Sequence, residues 1–507
     1  MVNFLKKTIF IKNALILTAT SLILRFAGII FKVWLAAEIG SEGVGLYQLI
    51  FSVYVLASTF ATSGISTAVT RLLAEESALG SKKGVIKILK KSIFLTLVIA
   101  FLSVVLIYFG SDFIAANILK DSRTSFALKA LPLALPFMGI SGCLRGYFIA
   151  RRNVTPNSLG QIFEQAARIA LILFFVKRFL NFGIKYALLG IMLGDALAEA
   201  LGTVILFVIY RFDKKHLDRL NGRPTPDYNI LKKIRHIALP ITSGRYLNSL
   251  LRTAENILVP LNLAKYPLAS ASALSQFGMI KGMALPILFF PSAILNAVST
   301  LLIPEISEAV AKSRLSPIKY TTTRIIKITL LLSFIFGAIF FISGDKIGTL
   351  IYEESRVGRL VKLLAPIVPF MYLDSIADGL LKGLDQQLFC FKTAVFDSAV
   401  RIILILIVLP FFGLNGFIGI MYFSNFLTCF CNVKRLIKVS GATLSPIEDI
   451  ILPSILAVSI TLFANFFIAF IPFADVFKVI VLTATSVIIY LLLLNKSIKK
   501  ALFPKIN

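Results

Sequence analysis

Fourteen apolar runs decide what this chain can fold into. Each is about 20 residues long, and a run of that length wound as a helix crosses the ~30 Å hydrocarbon layer of a bilayer. They lie at 13–36, 44–69, 92–110, 126–149, 157–177, 186–210, 237–261, 272–302, 321–343, 360–384, 390–410, 414–433, 450–472 and 475–495. In lipid every backbone N–H and C=O must be satisfied within its own segment, so the runs read as helices. The expected fold class is all-α: a polytopic membrane protein with 14 transmembrane helices. Composition agrees, with 57% hydrophobic and only 15% charged residues among 507. Soluble domains carry roughly a quarter charged residues. An ordinary water-soluble enzyme, a disordered chain and a disulfide scaffold built on four cysteines are all excluded.

The chain holds 53 Lys and Arg against 25 Asp and Glu, a net charge of +28. So basic a soluble chain would bind nucleic acid. Beside long apolar runs the cations instead set orientation and meet an anionic partner, and no nucleic acid is expected. With the N-terminus in the cytoplasm, the inner segments hold Lys82, Lys83, Lys87, Lys90 and Lys91 after span 2, and Arg145, Arg151 and Arg152 are counted at the inner end of span 4. The segment from Arg211 to Arg235 is equally rich, whereas the outer loops hold few cations, such as Lys120, Arg123 and Lys346. The bias places both termini in the cytoplasm. Met1 to Lys12 begins like a signal peptide, but the apolar stretch behind it is too long, and it reads as a retained first span.

Residues 109–173 lie over 342–406 with a constant shift of 233 and no gaps. Asp121-Ser122-Arg123 falls on Glu354-Ser355-Arg356, and Lys129 on Lys362. Pro136-Phe137-Met138 falls on Pro369-Phe370-Met371, and Gly146 on Gly379. Phe163-Glu164-x-Ala166-x-Arg168-Ile169 falls on Phe396-Asp397-x-Ala399-x-Arg401-Ile402. The chain therefore contains two copies of a six-span unit with two spans appended. Six is even, so both copies face the same way, which is one of the transporter designs. The expected division is an N-lobe at 1–211, a cytoplasmic linker at 212–236, a C-lobe at 237–440, and spans 13–14 with the tail at 441–507.

Cations inside spans cost at least ~2.5–3.5 kcal/mol each if they face lipid, so they should face protein or water. Arg168 and Arg401 lie four residues after Glu164 and Asp397 and should pair with them on one helix face. Arg25 and Lys32 on span 1, Arg245 and Arg252 on span 7, and Lys281 on span 8 have no local acid for every cation. These five are the expected lining of a cationic cavity. A guanidinium binds phosphate bidentately and keeps its charge in low dielectric, so such a cavity suits a diphosphate and repels lipophilic cations. Asp374 and Asp378, one turn apart on span 10, and Asp397 are candidates for a coupling Na⁺ or H⁺; the alternative is pairing to basic groups nearby. Asp195 and Glu199 on span 6 have the same spacing. No other cofactor and no metal site is expected. His216 and His236 read as loop residues, and Cys143, Cys390, Cys429 and Cys431 as packing groups. Gly40-x-x-Gly43-x-Gly45 reads as a turn between spans 1 and 2, not a nucleotide fingerprint. With no phosphate-binding loop and no nucleophile–base constellation, the chain does not read as an enzyme.

Leu24-Arg25-x-x-Gly28, Leu35-Ala36-x-x-Ile39-Gly40, Glu42-Gly43-Val44-Gly45-Leu46-Tyr47-Gln48, and Gly64 through Ala68-x-x-Arg71 to Ala74-Glu75 resemble the polysaccharide-biosynthesis flippases of the MOP exporter superfamily. That superfamily also holds the lipid II flippases and the MATE multidrug antiporters. The resemblance implies a V-shaped pair of six-helix lobes around a central cavity. It implies transfer of an undecaprenyl-diphosphate-linked glycan, such as a lipid II-like peptidoglycan precursor, from inner to outer leaflet of a bacterial plasma membrane. Membrane lipids and cell-wall or sporulation enzymes are the other partners it suggests. Lipid II flippases carry cavity arginines on spans 1, 2 and 8. Arg25 matches the first and Lys281 the region of the last, while span 2 offers only Arg71 at its inner end. The rival readings are a cation-coupled antiporter on the same fold and a non-transporting scaffold.

Overall fold

The protein is described from a computed structural model, covering residues 2–62, 64–214, 230–267, 272–293, 295, 306, 315–470 and 474–494. Among these residues the chain is helical, with α1 at Val2–Thr62, α2 at Ile65–Ala78, α3 at Lys82–Phe113, α4 at Ser125–Ala130, α5 at Leu135–Ala150, α6 at Thr155–Phe179 and α7 at Ile184–Asp213. There follow α8 at Ile230–Leu263, α9 at Ala273–Gly278, α10 at Leu285–Phe289, α11 at Leu315–Tyr352 and α12 at Ser355–Leu364. The last elements are α13 at Val368–Gly383, α14 at Gln387–Ser440, α15 at Leu452–Ala469 and α16 at Asp475–Leu493.

Ten helices among the described residues are long and apolar enough to cross a membrane. Two of them are too long to be single spans. At 1.5 Å per residue, a 61-residue α1 would reach roughly 90 Å, about three hydrocarbon thicknesses. It is broken at Gly40 (φ 69°, ψ 174°), a left-handed conformation that costs glycine no Cβ clash. The 54-residue α14 is broken likewise at Gly413, just after Pro410. Each of these is two spans. The α8 helix and the shorter Ala273–Phe289 stretch take the places of spans 7 and 8. The polytopic all-α class is thereby established. The expected glycine turn between spans 1 and 2 is narrowed to Gly40, where the chain leaves helical geometry, while Gly43 and Gly45 lie in the helix that follows. His236 is a correction of the same kind: α8 starts at Ile230, so this residue sits exposed on a helix. His216 and residues 215–229 of the expected linker lie outside the described residues.

Contacts divide the chain into two compact units: Met1–Phe31 with Leu46–Ile257, and Lys32–Gly45 with Leu258–Asn507. This division is not the same as a cut at 212–236. The start of α8 joins the first unit because Ile234 and Ala238 enter a core with Val69, Leu73, Tyr147 and Leu206. The 32–45 stretch joins the second because glycines let it close on α9. There Gly45 packs so tightly that a Cβ would stand 2.2 Å from the Leu274 carbonyl oxygen. A Cβ on Gly278 would stand 2.1 Å from the Ser41 carbonyl, and the Ser41 and Ser275 hydroxyls share a 2.6 Å hydrogen bond.

Each unit repeats the other's local geometry in the register read from sequence. Lys120 and Glu353, 233 apart, both take left-handed conformations at φ 57° and 55°, and so do Arg152 and Asp385 at 58° and 59°. Asp121 accepts from the Arg123 backbone N–H and receives its guanidinium; Glu354 does the same for Arg356. Lys129 pairs with Asp112 at 2.9 Å, and Lys362 with Asp345 at 3.0 Å. Identical turns and identical pairs at a constant spacing are what an internal duplication produces.

Candidate substrate cavity

Polar residues recur on three spans of the first unit at the spacing that puts side chains on one helix face. On α1 the row is Val55, Ser58, Thr59 and Thr62, continued by Ser66 on α2. On α5 it is Met138, Ser141, Gly142 and Arg145, and on α8 it is Arg245, Asn248, Ser249 and Arg252. With Glu199 from α7 these rows line one cavity of about 540 Å³. That lies within the roughly 300–1,000 Å³ of small-molecule sites.

Paired contacts fix the register of the rows. Thr253 Oγ1 donates to the Ser52 carbonyl and Asn256 Nδ2 to Ser52 Oγ, both at 3.0 Å. The Phe60 and Tyr246 rings lie 5.8 Å apart, and Gly64 packs on Ala238 and Thr242. Thus α8 runs antiparallel to the end of α1. On the other side Tyr54 donates to Met138 Sδ at 3.2 Å and Ser66 to the Gly142 carbonyl at 3.0 Å, so α5 runs alongside in parallel. Arg252 therefore stands at the Val55 end. Arg245 and Arg145 stand at the Thr62–Ser66 end, with Ser58, Thr59, Asn248 and Ser249 between. The hydroxyls of Ser58, Thr59 and Thr62 donate to carbonyls within their own helix, which leaves their oxygen lone pairs as acceptors. Ser249 Oγ is buried without a partner among the described residues.

Three guanidiniums and one carboxylate face this space, and their partners differ. Glu199 accepts from Arg168 at 3.0 Å. Arg168 also donates to Asp195 at 2.6 Å and to Glu164 at 2.9 Å. Glu164 in turn accepts from Arg145 at 2.5 Å. Arg168 pairs within its helix as expected, and it also draws in Asp195 and Glu199. Arg245 and Arg252 are exposed and have no ion pair or hydrogen bond among the described residues.

Sequence reasoning placed five cations in one cavity; this one contains Arg245 and Arg252. Arg25 is exposed in the first unit and is not part of the lining. Lys32 and Lys281 belong to the second unit, Lys281 half-buried on the π-helical turn Met279–Ala284. Arg145 was missed because the Lys/Arg count assigned it to an inner loop; α5 continues as helix to Ala150. The signal that could have found it is the i, i+3, i+4, i+7 row, present on all three spans.

In the second unit, Asp374 accepts from Asn432 at 2.8 Å, Asp378 pairs with Lys382, and Asp397 accepts from Ser424 at 2.6 Å. Arg401 stands 3.8 Å from Asp397, the repeat's version of Arg168 and Glu164. Among the described residues no three His, Cys, Asp or Glu side chains converge as a metal-binding set. In the repeat register Asp378 takes the place of Arg145, so the position that is cationic in one unit is anionic in the other.

The family model described as "Polysaccharide biosynthesis protein" matches residues 10–308, a span that includes the whole cavity. The chain belongs to that family. Within it, stage V sporulation protein B of Bacillus subtilis is 30% identical over 419 residues, covering 81% of this chain and 80% of the relative. The lipid II flippase MurJ of the same organism is 21% identical over 450 residues, covering 84% and 82%. A solved lipid II flippase MurJ in an inward closed conformation superposes with a TM-score of 0.72 at 15% identity, covering 95% of this chain and 100% of the other. The polysaccharide biosynthesis family thus accounts for the resemblance read at spans 1 and 2, and the chain shares the fold of that solved flippase.

Proposed function

We propose that the chain is a flippase that moves an undecaprenyl-diphosphate-linked glycan from the inner to the outer leaflet of a bacterial plasma membrane by alternating access. The observation that carries this reading is the cavity in which Arg245 and Arg252, without an ion pair among the described residues, stand beside Arg145 and Glu199, both of which belong to the network of Glu164, Arg168 and Asp195. A diphosphate diester carries two negative charges, and guanidinium forks bind it with charge-assisted bonds. Hydroxyl and amide groups from Ser58, Thr59, Asn248 and Ser249 suit a sugar. The polyprenyl tail would stay in lipid. With both termini cytoplasmic, the Thr62–Ser66 end would be the inner one, and an inside-negative potential favours outward movement by ~2.3 kcal/mol per charge per 100 mV. Asp374, Asp378 and Asp397 are the groups we propose for a coupling Na⁺ or H⁺ that resets the inward state. Lipid II-like precursors are the proposed cargo, and cell-wall or sporulation enzymes the proposed partners.

Binding to purified protein tests the reading. Lipid II and undecaprenyl diphosphate should bind and cationic dyes should not. Selective dye binding would favour a cation-coupled antiporter, and binding of none of them a non-transporting scaffold.

A further inference from the structure

One exposed face of α3 changes character along its length. Lys83, Lys87, Lys90, Phe94, Leu97 and Phe101 follow one another at alternating steps of four and three residues, so they form a single stripe on the helix. All six are exposed. The three lysines span about 10 Å of helix axis at 1.5 Å per residue. They lie just before the apolar run 92–110, at the depth of lipid headgroups, and Phe94 to Phe101 continue the stripe at the depth of acyl chains. Lys83 and Lys90 have no hydrogen bond or ion pair among the described residues. Nearby, Glu75 already pairs with Arg71 at 3.1 Å, and Glu76 is buried.

The second unit treats the same face differently. At the shift of 233, which the Lys129–Asp112 and Lys362–Asp345 pairs confirm for the ends of both helices, α3 lies over α11. Leu97, Leu102 and Leu106 are 36%, 55% and 70% exposed; their counterparts Leu330, Ile335 and Ile339 are 3%, 0% and 1% exposed. The appended helices α15 and α16, to which the duplication gives no counterpart, pack on α11. Lys327, in the place of Phe94, meets Asp449 at 2.9 Å from the turn before α15. Lys83, Lys87 and Lys90 fall on the uncharged Ser316, Tyr320 and Thr323. The second unit thus covers this face with its own helices and answers Lys327 with its own carboxylate. The first unit presents three lysines above an open apolar surface.

From this contrast we infer that the open face of α3 is a binding site for an anionic phospholipid. Its phosphate sits against Lys83, Lys87 and Lys90, and an acyl chain lies along Phe94, Leu97 and Phe101. A soluble anion would use the lysines and nothing of the aromatic surface below them. A partner's helix placed like α15 would bring its acid level with Phe94, whereas the three lysines stand beyond that level, outside the hydrocarbon. Ammonium groups at headgroup depth attract anionic lipid strongly, and the contact to phosphate is charge-assisted.

The test is native mass spectrometry of the full chain in detergent, titrated with phosphatidylglycerol or with phosphatidylcholine of the same acyl chains. The first phosphatidylglycerol should bind about tenfold tighter than the first phosphatidylcholine. The triple variant Lys83→Gln, Lys87→Gln, Lys90→Gln should lose that preference; glutamine is as good a helix former as lysine, so α3 should persist. A control variant, Lys120→Gln, Lys177→Gln, Arg178→Gln, removes the same charge at the far ends of α3 and α6 and should keep the preference. Glycerol 3-phosphate should not displace the bound lipid. Equal affinities on the unaltered protein would overturn the inference and leave the face to a partner's helix. A preference that survives the triple variant, or that the control loses equally, would overturn it too, as would displacement by glycerol 3-phosphate at matched concentration. The comparison of the two lipids on the unaltered protein decides the matter even if a variant does not fold.

Discussion

The Arg145 guanidinium donates to the Glu164 carboxylate at 2.5 Å while lining the cavity of the first unit. One side chain thus belongs both to the space that would receive an anion and to the buried network of Glu164, Arg168, Asp195 and Glu199. An anion entering the cavity competes with Glu164 for Arg145. Removing the charge of Glu164 should tilt that competition. We expect Glu164→Gln to tighten binding of an undecaprenyl diphosphate probe several-fold in calorimetry, together with a lower melting temperature. Weaker binding would mean that Arg145 needs Glu164 to hold it in place.

Arg168 bonds three carboxylates, and two of these, Glu164 and Glu199, are buried. Its loss leaves buried acids with too few partners, a change that costs about 3–5 kcal/mol. Arg168→Ala should therefore lower the unfolding temperature strongly and reduce the folded yield. Arg168→Lys, with one point charge in place of a fork, should fall between the two. Melting curves in detergent measure both.

Gly45 and Gly278 touch where the 32–45 stretch closes on α9. A Cβ on Gly278 would lie 2.7 Å from the Gly45 backbone nitrogen as well as against Ser41. The obstructing atoms are backbone and cannot rotate away. Gly45→Ala or Gly278→Ala should destabilise the second unit by about 1–3 kcal/mol or more, the scale of overpacking. Unchanged melting of both variants would show that the helices have room to part.

Exposed pairs should matter far less. Lys362 and Asp345 are 44% and 53% exposed. Such a pair contributes about 0–1 kcal/mol. Lys362→Ala should transport and melt like the unaltered protein, whereas Arg245→Ala and Arg252→Ala should lose transport at normal expression. A complementation assay in cells with immunoblotting separates these outcomes.

The spans were legible in the sequence because lipid demands a length and an apolarity that little else imitates. The duplication was legible because Asp121-Ser122-Arg123 and Glu354-Ser355-Arg356, and Pro136-Phe137-Met138 and Pro369-Phe370-Met371, keep one constant spacing. Arg245 and Arg252 were expected in a cavity from their seven-residue spacing on span 7, even though Glu255 lies three residues after Arg252. Arg145 could not be read by that route, since its partner Glu164 is 19 residues away on the next helix. The separation of Lys32 from Arg25 depends on close glycine packing between α1 and α9, and apolar patterning carries no trace of a contact between two residues without side chains. For the same reason the cavity was foreseen as a property of charge alone, while in the structure hydroxyl and amide groups make up much of its wall.

Translocation of a fluorescent undecaprenyl-diphosphate-linked sugar across liposomes containing the purified chain tests the account most directly. The double variant Arg245→Gln with Arg252→Gln suits it well, because neither side chain has a hydrogen bond or ion pair with another described residue. The unaltered protein should accelerate movement of the lipid between leaflets and the double variant should not. Translocation at the unaltered rate by a double variant that folds normally would contradict the account.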